Sequence, residues 1–134
     1  MRTFNHVGII LKEKMDGMIY VEPLKVHITD CSQSPNKIEF LYFEPDSPLP
    51  ELVTSQGHIA YAVPNMEEAI KDAKVLFGPF DMGNMILSFV EEEGIAIEFN
   101  EFKLAKILFF DFVKHVNNVF NSVCRQVMIV HQRR

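Results

Sequence analysis

The segment His58-Ile59-Ala60-Tyr61-Ala62-Val63 decides the predicted fold, because a near copy of it, His6-Val7-Gly8-Ile9-Ile10-Leu11, stands close to the N-terminus. Each copy begins with histidine, has a small residue two positions later and carries large apolar residues at alternate positions. This pattern is typical of a β-strand with one crowded face and one open face. In the first copy we expect the odd-numbered residues to enter the core and His6 and Gly8 to face the opposite way.

A second repeat follows each histidine strand. Ile38-Glu39-Phe40 comes after the first copy, and Ile97-Glu98-Phe99 comes after the second. The chain is therefore predicted to consist of two related halves, each of which opens with a histidine strand and closes with a glutamate strand. Such a duplication would bring two imidazoles and two carboxylates together.

Composition and charge indicate one globular domain. The chain has 134 residues, of which 48% are hydrophobic and 23% are charged. This length is sufficient for one hydrophobic core but too short for two large domains. The net charge is −5 and the 13 lysines and arginines are scattered until the last few residues, so nucleic acid is not an expected partner. Cys31 and Cys124 lie far apart, and the first residues show no signal-peptide pattern. A reducing, cytoplasmic location is therefore expected.

The second half is predicted to have the element order β-α-β-β-β, and the first half the same order with a shrunken helix. The segments that follow the second histidine strand are a helix over 65–75, turns at Gly78-Pro79 and 82–84, a strand over 85–90, an acidic turn at 91–94 and a strand over 95–100. Those of the first half are a stunted helix within 12–21, a strand at 24–29, a turn at 31–36 and a strand at 37–43. The proline-rich loop 44–50 joins the halves.

After Phe102 the pattern becomes that of one long amphipathic helix over residues 103–134. Its apolar residues recur with i, i+3, i+4 spacing. Charged and amide residues interrupt the ~20 apolar residues that a membrane span needs, so no membrane insertion is expected. The wide apolar face predicts contact with the back of the sheet or with a second copy, and thus a homodimer. His115 and His131 lie on this tail and are interpreted as solvated.

His6, Glu39, His58 and Glu98 form a candidate ligand set for a divalent metal such as Zn, Ni, Co, Mn or Fe. With four protein ligands an octahedral ion keeps two open positions, which suits catalysis. A metal holding a substrate carbonyl oxygen stabilises the charge that develops when the neighbouring carbon loses its proton. Glu98, on the last predicted strand of the core, is our first choice for the base that takes this proton, and Glu39 is the second.

Each of these residues also has a simpler interpretation. A single histidine at the start of a strand is more often an ordinary polar residue than a ligand, and Glu39 or Glu98 alone would suit an edge strand facing water. The repeated pairing favours the metal set. His27 alternates with Val26 and Ile28 and could line the same cavity, although a surface histidine is the more common outcome.

These motifs resemble those of the vicinal oxygen chelate superfamily, over about Phe4 to Phe102. Glu44-Pro45-Asp46-Ser47-Pro48 and Gly57-His58-Ile59-Ala60-Tyr61-Ala62-Val63 are similar to its methylmalonyl-CoA epimerase and glyoxalase I branch. The resemblance implies an α+β fold in which two βαβββ modules, 4–45 and 57–102, form a cupped mixed sheet within a domain of residues 1–102. It also implies that the four metal ligands lie on the first and last strands of the modules.

By the same resemblance, the chain is expected to be a divalent-metal-dependent epimerase or isomerase, or a glyoxalase-type lyase. It would move a proton next to the carbonyl of a small ketone or acyl thioester, with Glu98 as both ligand and proton carrier. The sequence departs from the epimerase branch at Gly57, which stands where that branch usually has the first of two adjacent histidines. It also lacks a clear second catalytic carboxylate on the second strand, where Glu22 is the nearest candidate.

Two alternatives remain open from the sequence. An Fe(II)-dependent dioxygenase needs only two histidines and one carboxylate, which leaves Glu39 without a role. A metal-free protein that binds and sequesters a small molecule would instead use aromatic residues, namely Phe40, Tyr42, Phe89 and Phe99.

Overall fold

The fold is α+β, and its main element is one mixed sheet of eight strands that curls into a half-barrel. The computed structural model describes residues 1–103; the predicted tail helix, with His115 and His131, lies outside the described residues apart from Lys103. The strands are β1 (Thr3–Ile10), β2 (Ile19–Val21), β3 (Val26–Ile28), β4 (Ile38–Phe43), β5 (His58–Ala62), β6 (Lys74–Asp81), β7 (Met85–Glu92) and β8 (Ile95–Phe102). The helices are α1 (Glu51–Ser55) and α2 (Met66–Ile70), with 3-10 turns at Glu22–Leu24 and Cys31–Gln33.

The strands lie in the order β2-β3-β4-β1-β5-β8-β7-β6. The two histidine strands, β1 and β5, form the antiparallel pair at the centre. Each of them pairs in parallel with a glutamate strand, β1 with β4 and β5 with β8. The remaining neighbours are antiparallel. The four strands that carry the candidate ligands are therefore adjacent in the middle of the sheet.

The sheet has two apolar faces, which we call inner and outer. The inner face is defined by Leu41, Leu87 and Phe89, and Val53 of α1 packs in the same cluster. The outer face is covered by α2, and its buried residues are Val63, Met66, Val90, Ile97 and Phe99. Since alternate residues of a strand point to opposite faces, Glu39 and Glu98 lie on the inner face.

The structure reverses the predicted faces of β1. His6 and Gly8 are buried, whereas Val7 is half-buried and Ile9 is 39% exposed. The even-numbered residues thus lie on the side where the polar ligands and the apolar inner core meet. The expectation that an apolar face must be the more buried one was wrong here, because the polar side chains are buried against one another.

The predicted helix within 12–21 is absent. Residues 11–18 form bends and turns, with Gly17 at φ +81°, and Ile19–Val21 pairs with β3 as a strand. A run this short, with a glycine in a left-handed conformation, gains little from helix formation. The β-branched Ile19 and Val21 suit a strand instead.

The second-half helix is shorter than predicted. Asn65 caps it as expected, since its Oδ1 accepts a hydrogen bond from the Glu68 N–H at 3.0 Å, but α2 ends at Ile70 rather than near Val75. Lys74–Asp81 forms the edge strand β6, and Gly78-Pro79, predicted as a turn, lies within it at a break in register between Phe77 and Phe80. An edge strand tolerates proline because one side of it needs no partner.

Other predictions agree with the structure. The strands at 37–43 and 58–63, the turn at 82–84 and the acidic hairpin at 91–94 are all present with small shifts of their ends. α1 was not predicted, and it follows Pro50, the residue at its N-cap. Within residues 1–103, no helix is both long and apolar enough to span a bilayer.

Candidate metal centre

The four predicted ligands meet on the inner face of the central strands. His6 is on β1, His58 on β5, Glu39 on β4 and Glu98 on β8. In both halves the glutamate lies beside the residue two positions after the histidine: Glu39 pairs with Gly8, and Glu98 pairs with Ala60. The two halves therefore place imidazole and carboxylate in the same relative register.

Gly8 makes room for one of the histidines. A Cβ added at Gly8 would lie 2.2 Å from Cε1 of His58, so the imidazole occupies the space in front of this glycine. The small residue two positions after each histidine, noted in the sequence, has this steric reason at position 8. A Cβ at Gly57 would lie 2.3 Å from the carbonyl oxygen of Gly8, so the backbone of β1 passes too close for any side chain there.

The distances between the four groups fit a shared metal ion. One ligand atom from each residue can be chosen so that all lie within 4.8 Å of one another. His6 Nε2 is 3.2 Å from His58 Nε2 and 3.3 Å from Glu39 Oε2, and His58 Nε2 is 3.0 Å from Glu98 Oε2 and 4.0 Å from Glu39 Oε2. Donors at about 2.1 Å from one ion are separated by about 3.0–3.4 Å as neighbours in octahedral or tetrahedral geometry and by about 4.2 Å across an octahedron. The cluster could thus hold a metal ion.

Asn5 sets the orientation of His6. Its Oδ1 lies 2.7 Å from His6 Nδ1, and because an amide oxygen only accepts hydrogen bonds, Nδ1 carries a proton. Nε2 is then the nitrogen that His6 offers to the cluster. A carbonyl-type oxygen behind the ring is the usual support for a metal-binding histidine. His58 Nδ1, by contrast, is buried without a hydrogen-bond partner among residues 1–103.

Burial and mutual charges shift the pKa values of Glu98 and His6. Burial raises the pKa of Glu98, but the charges of His58 and His6 and hydrogen bonds from His58 and Asn100 outweigh it, so the pKa lies below its ordinary value. Burial also lowers the pKa of His6, but its hydrogen bond to Glu39 and the charges of Glu98 and Glu39 outweigh this and raise the pKa overall. The group is therefore an ion-paired cluster whose protons a metal would displace.

A small apolar cavity of about 60 Å³ opens beside the cluster, and Glu39 and Glu98 form part of its wall. The remaining lining residues are Val21, Leu24, Val26, Ile28, Leu41, Phe43, Leu49, Met82, Met85, Leu87 and Phe89.

Other residues considered from the sequence lie elsewhere. His27 does not line the cavity; its Nε2 is 2.8 Å from Glu44 Oε1 and its ring stacks on Tyr20 at 4.5 Å between centroids. His27 thus does not contribute to the cavity, but its half-buried side chain is not the surface histidine that was expected. Glu22 is exposed in a 3-10 turn and does not line the cavity, so it does not supply a second catalytic carboxylate.

Of the four aromatic residues suggested for ligand binding, only Phe89 lines the cavity. Phe99 belongs to the outer-face core, and Phe40 and Tyr42 alternate with Leu41 and so point outward. The inner-face aromatic residue of β4 is Phe43. The error came from the choice of face on β4, where every residue is apolar except Glu39.

Two amides at the site were missed. Asn5 directly precedes His6, and Asn100, which is 1% exposed, follows Glu98 by two positions and donates a hydrogen bond to it. The sequence signal for Asn100 was available, because residues two apart on a strand share a face. Asn5 lies at the irregularity between Phe4 and His6 in the β1–β5 pairing, so simple alternation could not place its side chain.

Comparison with known proteins supports the architecture. No family model matches the chain, and no curated protein matches it. The chain is similar in fold to the crystal structure of hypothetical protein BH1468 from Bacillus halodurans C-125, with a TM-score of 0.52 and 20% sequence identity over 76% of this chain and 95% of that chain. At this identity the similarity describes the fold alone.

Proposed function

We propose that this chain is a metal-dependent enzyme of the vicinal oxygen chelate superfamily, which moves a proton at the carbon next to a carbonyl or thioester group. The observation that carries the proposal is the convergence of His6, Glu39, His58 and Glu98 within 4.8 Å. These residues lie next to an apolar cavity that Glu39 and Glu98 also line. A buried set of nitrogen and oxygen donors beside an apolar cavity is an arrangement that suits a catalytic metal.

The strand order supports a sheet made of two related modules. Counted outward from the centre of the sheet, the strands of the first half are β1, β4, β3 and β2, and those of the second half are β5, β8, β7 and β6. In both halves the first strand in sequence is therefore followed by the fourth, the third and the second. In each half the first and last strands are parallel. The second half carries α2 between its first two strands, as a βαβββ module does, whereas the first half connects them without a helix. We assign the shortened connection to the first module.

The metal ligands in this proposal are His6, Glu39, His58 and Glu98. A bound divalent ion would supply Lewis-acid stabilisation of negative charge on a substrate oxygen. The protein's own groups would hold the ion, exclude water around the apolar part of the substrate and carry the proton. The buried, mutually hydrogen-bonded cluster keeps these groups in place before substrate binds.

The contacts of the two carboxylates favour Glu39 as the base, rather than Glu98 as the sequence suggested. Glu98 is held by His58 at 3.0 Å and by Asn100, and its lowered pKa makes it a weak proton acceptor. Glu39 has a 14% exposed side chain, lies 3.3 Å from His6, and forms part of the cavity wall. A less restrained carboxylate can leave its partner to take a proton from a substrate carbon.

The position of both carboxylates suits epimerase or lyase chemistry. Glu39 is on β4, outside β1, and Glu98 is on β8, outside β5, so they reach one cavity from opposite sides of the central strand pair. Glu39 could accept a proton from the substrate carbon and then, as the carboxylic acid, return the same proton to that carbon or to a neighbouring atom. The substrate carbon would need to lie within hydrogen-bond reach of the base.

The test combines metal content with proton exchange. Protein incubated with Zn²⁺, Ni²⁺ or Co²⁺ and then desalted should retain one ion per chain by elemental analysis. Small ketones and acyl thioesters in D₂O should incorporate deuterium at the carbon next to the carbonyl, measured by NMR. Glu39→Gln should slow this exchange by about 10²–10⁴-fold, the usual contribution of a general base. Glu44→Gln is the matched control, since Glu44 pairs with Lys14 and His27 away from the cavity.

The same variants separate the alternatives. A protein that retains no metal but still binds apolar ligands would be a binding protein rather than an enzyme. A dioxygenase should keep Fe²⁺ in Glu39→Ala and consume oxygen, because two histidines and Glu98 complete its ligand set. In the enzyme proposed here, removing Glu39 removes both a ligand and the base, so metal affinity and proton exchange should fall together.

A further inference from the structure

The lining of the cavity is apolar except at the metal cluster. Glu39 and Glu98 are its two polar lining residues, and among the described residues no lysine, arginine, histidine, hydroxyl or amide side chain forms part of its wall. The part of a substrate that enters this cavity would meet only aliphatic, methionine and phenylalanine side chains. Away from these two carboxylates, the cavity therefore offers no partner to a charged or strongly hydrogen-bonding group.

The charge of the cluster reinforces this selectivity. Two carboxylates and two imidazoles can be balanced by one divalent cation, which leaves no net positive charge to attract an anion. Without the cation the carboxylates themselves repel an anionic ligand. In either state a second negative group on the substrate would find only apolar surroundings beyond the centre.

Two lysines of the first half, Lys14 and Lys25, already have ion-pair partners. Lys25 stands between the lining residues Leu24 and Val26, but its Nζ forms an ion pair with Asp46. Lys14 Nζ lies 2.9 Å from Glu44 Oε1. Both lysines belong to other contacts, and neither is part of the cavity wall.

We infer that the substrate of this site is a small neutral carbonyl compound, whose uncharged alkyl or acyl group lies against the apolar wall while its oxygen faces the cluster. This inference rests on the proposed function and specifies its substrate class. Compounds that carry a carboxylate or phosphate on the buried end are excluded, because an unpaired buried anion is strongly unfavourable. The wall residues Leu41, Leu87 and Phe89 are the principal contacts of the neutral group.

A matched pair of probes tests this selectivity. 2-Heptanone and 6-oxoheptanoate share the ketone and the chain length, and differ only in a terminal methyl or carboxylate group. Each is titrated into metal-free and Zn²⁺-loaded full-length protein, and the methyl signals of Met82 and Met85, both of which line the cavity, are followed by NMR. This readout does not depend on activity. 2-Heptanone should bind at least about tenfold more tightly than 6-oxoheptanoate in both forms.

A charge placed in the wall should reverse the preference. Met82 lies half-buried in the turn between β6 and β7, so Met82→Lys is expected to fold, and the Met85 methyl signal remains as the probe. Met82→Lys should improve 6-oxoheptanoate binding about tenfold, because the lysine supplies the missing partner. Met82→Gln, which is polar but uncharged, is the control and should not reverse the preference.

The outcomes distinguish this inference from the function on which it rests. Zn²⁺ uptake with equal binding of the two probes, or with tighter binding of 6-oxoheptanoate, would overturn the neutral substrate class while the metal enzyme stands. Zn²⁺ uptake with no shift of either methionine signal by 2-heptanone would also overturn it. Failure to retain any of Zn²⁺, Ni²⁺ and Co²⁺ would instead reject the proposed function, and the substrate class with it.

Discussion

The imidazole of His58 fills the space that Gly8 leaves open on the neighbouring strand: a Cβ at position 8 would lie 2.2 Å from Cε1 and 2.5 Å from Nδ1 of His58. Gly8→Ala should therefore displace His58 from the cluster. We expect metal affinity to fall by more than tenfold, and the free energy of unfolding to fall by about 1–3 kcal/mol, the usual cost of overpacking. Zn²⁺ titration calorimetry and denaturant unfolding measure the two effects.

Gly94→Ala is the control for that substitution. Gly94 has φ +78° in the hairpin turn and no atom within 4 Å of an added Cβ. Alanine there should lower stability by about 1 kcal/mol through backbone strain but leave metal affinity unchanged. If Gly8→Ala behaves in the same way as Gly94→Ala, then the position of His58 does not depend on Gly8.

Asn5 is expected to act on the metal through His6. Asn5→Ala removes the oxygen that lies 2.7 Å from His6 Nδ1, so the ring loses its fixed orientation and proton position. Loss of such a support typically lowers metal affinity by about 10–100-fold. Competition with a chelator of known affinity measures the change. Asn84→Ala, in an exposed turn, should have no effect on the same measurement.

Asn100 is expected to support Glu98 in a similar way. Asn100→Leu keeps a similar volume, removes the hydrogen bond to Glu98, and should move the Glu98 pKa upward and weaken metal binding. The Asn100 Oδ1 atom is buried without a partner among residues 1–103, so its removal offsets part of the lost hydrogen bond. Stability should then change by less than about 1 kcal/mol.

Ser88→Ala provides the contrasting case. The Ser88 hydroxyl donates to the Phe77 carbonyl oxygen at 2.8 Å, and Ser88 is on the neighbouring strand β7. Its loss should cost about 1 kcal/mol of stability without any change in metal affinity. Unchanged metal affinity in Asn100→Leu would show that Glu98 needs no support from Asn100.

The pH dependence of stability should differ between metal-free and metal-loaded protein. The raised pKa of His6 stabilises the metal-free fold below its ordinary value of 6.5, and this contribution is lost as pH rises through the folded-state pKa. The lowered pKa of Glu98 stabilises the fold above its ordinary value of 4.5, and this is lost as pH falls through the folded-state pKa. The cluster of the metal-free protein is therefore most stabilising between pH 4.5 and 6.5.

Zn²⁺ must displace the proton of His6, and protons compete less as pH rises. The stabilisation of the fold by Zn²⁺ should therefore increase as pH rises from about 5.5 to about 8. Thermal unfolding with and without Zn²⁺ across this range measures the effect. His27→Gln should keep the same dependence, because His27 pairs with Glu44 outside the cluster. A Zn²⁺ effect that is constant with pH would mean that His6 is not a ligand.

The repeats of the sequence were sufficient to predict the candidate site. The repeated histidine and glutamate strands place four ligands together only if the halves are adjacent, and β1 and β5 are paired. The strand at 37–43 was clear from its β-branched and aromatic residues. The strand at 37–43 depends on local pattern, and the candidate site depends on the repeat of histidine and glutamate strands in the two halves. The sequence contains both.

The faces and the short connections could not be predicted in the same way. Alternation shows that His6 and Val7 lie on opposite faces but not which face is the more buried, because that depends on the polar cluster itself. Residues 74–77 have helical neighbours in sequence, yet pairing with β7 makes them a strand. Whether such a segment forms a helix or a strand is decided by its packing against strands that are distant in sequence. The hydrophobic periodicity of about 11 neighbouring residues does not contain this information.

The close passage of Gly57 against the Gly8 carbonyl limits how this protein can change by mutation. Any residue other than glycine at position 57 would place its first side-chain atom 2.3 Å from a backbone oxygen. Such a substitution would force the two central strands apart and disturb the neighbouring His58. Position 57 could accept a side chain only after β1 had moved, so this close approach restricts the position to glycine.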